Sequence, residues 1–171
     1  MKYQKITEKA MLNKKQIVLL LFILVAAIIR LFPHLPNVTP ITAMALFSGV
    51  YFSNKKLAFA APLLAMAISD IFLGFHTISI FVYAAFVLVG IIGMTSKKMS
   101  FTSILLSSIS FFIITNFGVW LIGYPKTLDG LIECYTLAIP FFRNSLIGDF
   151  FYAAVMYFSF EFVSKKYLQT A

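Results

Sequence analysis

The chain has 171 residues, of which 61% are hydrophobic and only 12% are charged, and its formal net charge at pH 7 is +8. This composition excludes an ordinary soluble domain, whose water-facing surface needs more charged residues. It also argues against a nucleic-acid-binding protein, because no basic stripe is interleaved with aromatic residues.

The lysines fall into four groups, and nearly everything between the groups is apolar. Cytoplasmic loops of membrane proteins collect lysine and arginine, so each group marks a return of the chain to the cytoplasm. Each interval is long enough for two crossings, which predicts six transmembrane helices in a bacterial inner membrane with both termini cytoplasmic. The groups are Lys2, Lys5, Lys9, Lys14 and Lys15; Lys55 and Lys56; Lys97 and Lys98; and Lys165 and Lys166.

The predicted fold class is therefore all-α, a polytopic bundle of six transmembrane helices over residues 17–164. A basic cytoplasmic segment, 1–16, precedes the bundle, and a cytoplasmic tail, 165–171, follows it. The first apolar stretch also fits a signal peptide, whose cleavage would leave five crossings. In chain order, the predicted helices are 17–32, 41–52, 57–73, 78–94, 101–122 and 144–163.

Two connections at the predicted outer face are distinctive. Residues 33–40, which we call the proline loop, contain three prolines and cannot be helix interior. The second helix is short for a crossing, which leaves two alternatives. Its flanking residues can reach the membrane interface, or it can borrow part of this loop at membrane depth, where non-helical backbone must face protein or a cavity. The longest connection, 123–143, is predicted to contain a short outer-surface helix at 128–139 that Pro140 ends.

Small residues are spaced for close contact between membrane helices, notably Gly49 on the second helix and Gly90 and Gly93 on the fourth. Two interpretations remain open at this point. The glycines can serve packing within the chain, or they can form a docking face for a partner subunit.

Charged residues inside membrane spans are costly and are usually paired or functional. Here they lie toward the outer ends, and Asp149 is expected roughly 8 Å inside its helix, at a depth similar to that of Asn116. Aromatic walls are expected from Tyr83, Phe117, Trp120 and Tyr152. The candidate substrate-binding residues are Arg30, His34, Asn37, Thr39, Asp70, His76, Asn116, Trp120, Arg143, Asn144 and Asp149.

This polar cluster has two interpretations. In one, Arg30 and Arg143 neutralise Asp70 and Asp149 in a structural network. In the other, the cluster lines a water-accessible cavity that binds a small polar molecule from outside. No catalytic residue, metal or cofactor is expected, because the motifs of intramembrane proteases are missing and the two histidines lack ligand spacing.

Several stretches together resemble a family of uncharacterised bacterial integral membrane proteins, a domain of unknown function. They are Arg30-x-x-Pro33-His34-x-Pro36-Asn37-x-Thr39-Pro40-Ile41, Ser69-Asp70, Gly74-Phe75-His76, Thr115-Asn116-Phe117-Gly118-Val119-Trp120, Tyr124-Pro125-Lys126-Thr127, Ala138-Ile139-Pro140-Phe141-Phe142-x-Asn144 and Gly148-Asp149.

More distantly, the size and the six helices resemble the substrate-binding subunits of energy-coupling-factor transporters. That resemblance implies binding of a small nutrient from outside and a partnership with a transmembrane coupling subunit and ATPases. The expected function is therefore nutrient import by a chain that is not itself an enzyme. A membrane enzyme acting on lipid or cell-wall precursors, or an assembly partner of a membrane complex, remains the alternative.

Overall fold

The computed structural model describes residues 12–33 and 35–168. Over these residues the all-α prediction is confirmed, since the chain forms six α-helices and a short π-helical turn and no strand. The elements are α1 (Lys14–Ile29), α2 (Ile41–Tyr51), α3 (Lys55–Leu73), α4 (Ser79–Ser96), α5 (Phe101–Gly123), α6 (Leu128–Val163) and the π-helical turn Ser164–Leu168.

Polar capping residues set most of the helix starts. Asn13 and Ser100 open α1 and α5 with capping boxes, and Asn54 and Thr127 cap α3 and α6 by accepting bonds from backbone N–H groups. These caps satisfy donors that have no partner inside the helix. The first five helices begin and end within a few residues of the predicted positions.

The sixth helix differs from the prediction. The separate outer-surface helix is not present, because α6 runs without interruption from Leu128 to Val163, a length of 36 residues, with Pro140 inside it. Proline leaves the carbonyl of Thr136 without its usual helical partner, a defect that membrane helices tolerate when their surroundings satisfy the freed group. The helix is roughly 54 Å long, which exceeds the thickness of a bilayer.

Each connection is short and reverses the chain, so the bundle has two distinct ends. The lysine end carries Lys55, Lys97 and Lys165, and the loop end carries the proline loop and the turns at 74–78 and 124–127. Bonds between neighbouring helices fit this alternation: Ser48 near the end of α2 donates to the carbonyl of Ala58 near the start of α3.

The short helix α2 lies at the centre of the bundle, with every residue from Thr42 to Gly49 buried. It packs closely on α4, since a Cβ at Gly93 would lie 2.5 Å from the Leu46 carbonyl oxygen and one at Gly49 would overlap the carbonyl of Gly90. Close approach of the two backbones requires glycine at these positions. The small residues of α2 and α4 therefore serve packing within the chain.

The outer surface of the bundle is apolar. Ile71, Phe72, Ile80 and Phe158 are each more than 65% exposed, at 69%, 74%, 72% and 68%. Four helices, α3, α4, α5 and α6 with its π-helical turn, are long and apolar enough to cross a membrane. Such a surface is stable against lipid and not against water, so the chain is a membrane protein.

Aromatic side chains fill the bundle toward its lysine end. The rings of Phe47 and Phe160 meet edge to face with centroids 5.4 Å apart, and Tyr51 and Phe22 pack on the same pair. Phe47 and Phe160 are essentially fully buried. This packing leaves the interior closed at the lysine end.

Candidate binding cavity

A cavity of about 510 Å³ opens inside the bundle, a volume typical of sites for small organic ligands. Its walls come from α2, α4, α5, α6 and the proline loop, with Arg30 contributed by the end of α1. The polar lining residues are Arg30, Asn37, Thr39, Thr42, His76, Ser108, Thr115, Asn116, Tyr124, Cys134, Ser145 and Asp149, and the apolar ones are Ile41, Ile78, Val82, Phe111, Phe112, Val119, Leu137, Ala138, Phe141 and Phe142.

Two long helix faces form most of this wall. The lining residues of α5 and of α6 each recur at intervals of three or four, which is the spacing of one face of an α-helix. The α6 face is continuous only because the helix passes through Pro140, which brings Cys134 and Asp149 onto the same wall. Tyr135 joins the two helices by donating its hydroxyl to the Ile113 carbonyl at 2.7 Å.

The proline loop descends into the bundle alongside α6. Asn144 donates its amide to the Pro36 carbonyl at 3.3 Å, and a Cβ at Gly148 would lie only 3.1 Å from the Cα of Val38. The loop thereby delivers Asn37 and Thr39 to the cavity wall. His34, the remaining candidate of this loop, lies outside the described residues.

Asp149 lies at the buried end of the cavity. Asp149 is 4% exposed, and its Oδ2 atom accepts a hydrogen bond of 2.7 Å from the Ser108 hydroxyl. The side chain of Thr42, the second residue of α2, lies beside the same carboxylate. Asp149 therefore meets the amino-terminal end of α2, where backbone N–H groups point along the helix axis.

The depth of Asp149 differs from the prediction. Its partner Ser108 precedes Asn116 by two turns of α5, so Asp149 lies roughly 12 Å deeper than Asn116 along the bundle and not level with it. The predicted depth of 8 Å assumed a helix that begins at residue 144. Because α6 begins at Leu128, Asp149 falls near the middle of the bundle.

Arg30 and Asp70 form an ion pair with an N–O distance of 2.6 Å between Nη2 and Oδ1. Arg30 also donates to the Ser69 hydroxyl, and Tyr83 donates to Asp70 Oδ2 at 2.7 Å. Arg30 faces the cavity, whereas Asp70 is buried behind it and is not part of the lining. The charge of Arg30 is thus neutralised within this group.

The predicted network of two arginines and two aspartates does not form. Arg143 is exposed on α6, and Arg30–Asp70 is the one ion pair within the described part of the chain. Asp149 accordingly has no cationic partner among those residues. It is a buried carboxylate that accepts a hydrogen bond from Ser108 and lies beside the Thr42 side chain.

The other candidates divide between the cavity and its surroundings. Asn116 and His76 line the wall, with His76 exposed at the loop end. Asn144 holds the proline loop from outside the lining. Trp120 also lies outside it, where its indole N–H donates to the Pro125 carbonyl at 3.0 Å and Lys126 sits over its ring.

The aromatic walls come from residues other than the predicted ones. Phe111 and Phe112 of α5 and Phe141 and Phe142 of α6 line the cavity, and the rings of Phe112 and Phe142 pack against each other. The predicted wall residues Trp120, Tyr83, Phe117 and Tyr152 are not part of the lining. The sequence carries a signal for these walls: the lining residues recur every three or four positions from 108 to 119 and from 134 to 149, which is the spacing of one helix face.

Within the described ranges no three His, Cys, Asp or Glu side chains come together as metal ligands. No curated protein and no solved structure matches the chain, so neither comparison supports the resemblance to energy-coupling-factor subunits. One family model does match, over residues 10–170, which is nearly the whole sequence. The chain belongs to this family, described as a family of unknown function (DUF6580).

Proposed function

We propose that this chain is a six-crossing protein of a bacterial inner membrane that binds a small polar molecule in the cavity from the outer face. In this proposal it acts as the substrate-binding subunit of an importer. The observation that carries the proposal is the cavity itself, which combines aromatic walls with polar side chains that reach from the loop end to Asp149.

The lysine groups support the orientation. The described members of these groups fall at one end of the bundle, and cytoplasmic segments concentrate such residues. Two helices are too short to cross the membrane on their own, α1 with 16 residues and α2 with 11. Lys14 begins α1, and the descending proline loop precedes α2. A short helix completed by non-helical backbone that lines a cavity is a recognised form of membrane crossing.

The shape of the cavity supports binding from one side. Its lining runs from exposed residues at the loop end, His76 and Asn37, to buried Asp149 in the middle of the bundle. The aromatic packing around Phe47 and Phe160 separates Asp149 from the lysine end. With the lysine end in the cytoplasm, the cavity is open to the outside and closed to the inside.

Import would require partners. The sequence carries no nucleotide-binding motif, so any use of ATP depends on other chains. We expect a transmembrane coupling subunit with ATPases to bind the bundle and to open it toward the cytoplasm. The lipid-facing surface of the helices is available for that contact.

The test is mass spectrometry of small molecules that the purified protein retains. Ser145 lines the cavity and Ile147 on the same helix is 58% exposed toward lipid, which makes Ser145→Trp the blocking variant and Ile147→Trp its control. We expect a specific small molecule with the unaltered chain and with Ile147→Trp, and its loss with Ser145→Trp. Retention that Ser145→Trp leaves intact, or a processed product in place of a retained ligand, would overturn the proposal.

The orientation is tested separately by cysteine labelling in intact cells, with Cys134→Ser as the background. A cysteine at position 55 or 97 should be shielded from an impermeant thiol reagent, and one at position 126 should react. The reverse pattern would place the lysine end outside.

A further inference from the structure

We infer that the molecule bound in this cavity carries a positively charged nitrogen and that Asp149 is its counter-ion. This inference rests on the proposed binding function and narrows it to a class of ligand, organic ammonium or heteroaromatic cations. Three features of the structure support it: the unbalanced charge of Asp149, the neutralisation of Arg30, and the aromatic walls.

The first feature is the environment of Asp149. A carboxylate that is 4% exposed at the middle of a membrane bundle is costly unless a positive charge balances it. The Ser108 hydroxyl satisfies one oxygen, but a neutral donor does not balance the charge. The amino-terminal end of α2 supplies about half a positive charge, which offsets only part of the cost.

The second feature is the state of the remaining charged groups. Arg30 lines the cavity, but its guanidinium group is already paired with Asp70 and hydrogen-bonded to Ser69. His76, the other cationic candidate in the lining, is exposed at the opposite end of the cavity. Among the residues that the structure describes, the formal charge left over at the buried end is therefore negative, and an anionic ligand would be repelled there.

The third feature is the aromatic lining above Asp149. Phe111, Phe112, Phe141 and Phe142 all contribute to the wall, and the rings of Phe112 and Phe142 lie with centroids 4.5 Å apart. The faces of aromatic rings attract cations, particularly where water is excluded. A carboxylate beneath a set of aromatic rings is the arrangement that recognises a cationic nitrogen bonded to an apolar body.

The experiment compares three probes of similar size: benzyltrimethylammonium, benzyl alcohol and phenylacetate. Their binding to the detergent-purified full chain is measured by calorimetry. The variant is Asp149→Asn, and the matched control is Asp129→Asn, which changes an exposed acid at the loop end of the same helix. We expect binding of the cation alone, an affinity loss of at least about 30-fold in Asp149→Asn, and no change in Asp129→Asn.

A stability measurement separates this role from a structural one. If Asp149 is the counter-ion of a bound cation, its charge is unbalanced in the ligand-free protein. Asp149→Asn then removes that charge and keeps the hydrogen bond to Ser108, so it does not lower the melting temperature of the ligand-free protein. A lowered melting temperature, or equal cation binding by Asp149→Asn, would overturn the inference.

The same data distinguish two kinds of failure. The protein could bind phenylacetate or benzyl alcohol in preference to the cation and lose that binding in Ser145→Trp. This result would refute the inference of a cationic ligand and would still support the cavity as a binding site. Absence of any binding, together with a ligand-free purified chain, would refute both.

Discussion

The ion pair between Arg30 and Asp70 gives the sharpest energetic prediction. The two side chains are only 12% and 5% exposed, so solvent does not screen their attraction as it does at a surface. Asp70→Asn leaves a buried guanidinium group without its anion, and Arg30→Met leaves a buried carboxylate. Each single change should lower the free energy of unfolding by about 3–5 kcal/mol.

The double variant should be far less damaging. Arg30→Met combined with Asp70→Asn removes both charges and keeps an acceptor for the Tyr83 hydroxyl, so its loss should be about 0–1 kcal/mol. The assay is a double-mutant cycle on unfolding free energies measured in mixed detergent micelles. Arg143→Met with Asp70→Asn is the control, since Arg143 is exposed and its effect should add independently. Single variants that cost less than about 1 kcal/mol, or a double variant equal to the sum of the singles, would refute the reasoning.

Two further predictions concern helix contacts. Gly93→Ala should lower the unfolding free energy by about 1–3 kcal/mol, because its new methyl group meets the Leu46 carbonyl. Gly123→Ala is the control and should not destabilise the protein, because the space around Gly123 is open. Comparable losses in the two variants would contradict the close contact between α2 and α4. Tyr135→Phe removes the bond to the Ile113 carbonyl and should cost about 1 kcal/mol in the same assay, and a change below the experimental error would show that α5 and α6 do not depend on it.

Helix boundaries were the part of this fold that the sequence predicted well. Apolar runs end at lysine groups and at capping residues such as Asn54 and Ser100, so local chemistry determines where α3 and α5 begin. The position of α2 was also predicted, because three prolines exclude a helix immediately before it.

The sixth helix was the part that local rules could not predict. Proline usually ends a helix, but Pro140 lies within α6, where packing against α5 holds both sides in one helix. This single difference moved Asp149 from the outer end to the middle of the bundle. It also hid the aromatic wall, because Phe141 and Phe142 were assigned to a loop when they belong to the same face as Cys134.

Cys134 offers the most direct test of the central claim, an internal cavity open at the loop end. It is the single cysteine of the sequence, it lines the cavity, and its side chain is buried, with the thiol donating to the Asn116 carbonyl at 3.6 Å. The measurement is the rate at which a small cationic methanethiosulfonate reagent modifies Cys134 in intact cells. Val119 lines the cavity between Cys134 and the loop end, whereas Leu121 on the same helix is 37% exposed and lies outside the lining. We predict modification from outside that Val119→Trp blocks and Leu121→Trp leaves unchanged. A Cys134 that resists the reagent, or that reacts equally in both variants, would contradict an internal cavity open at the loop end.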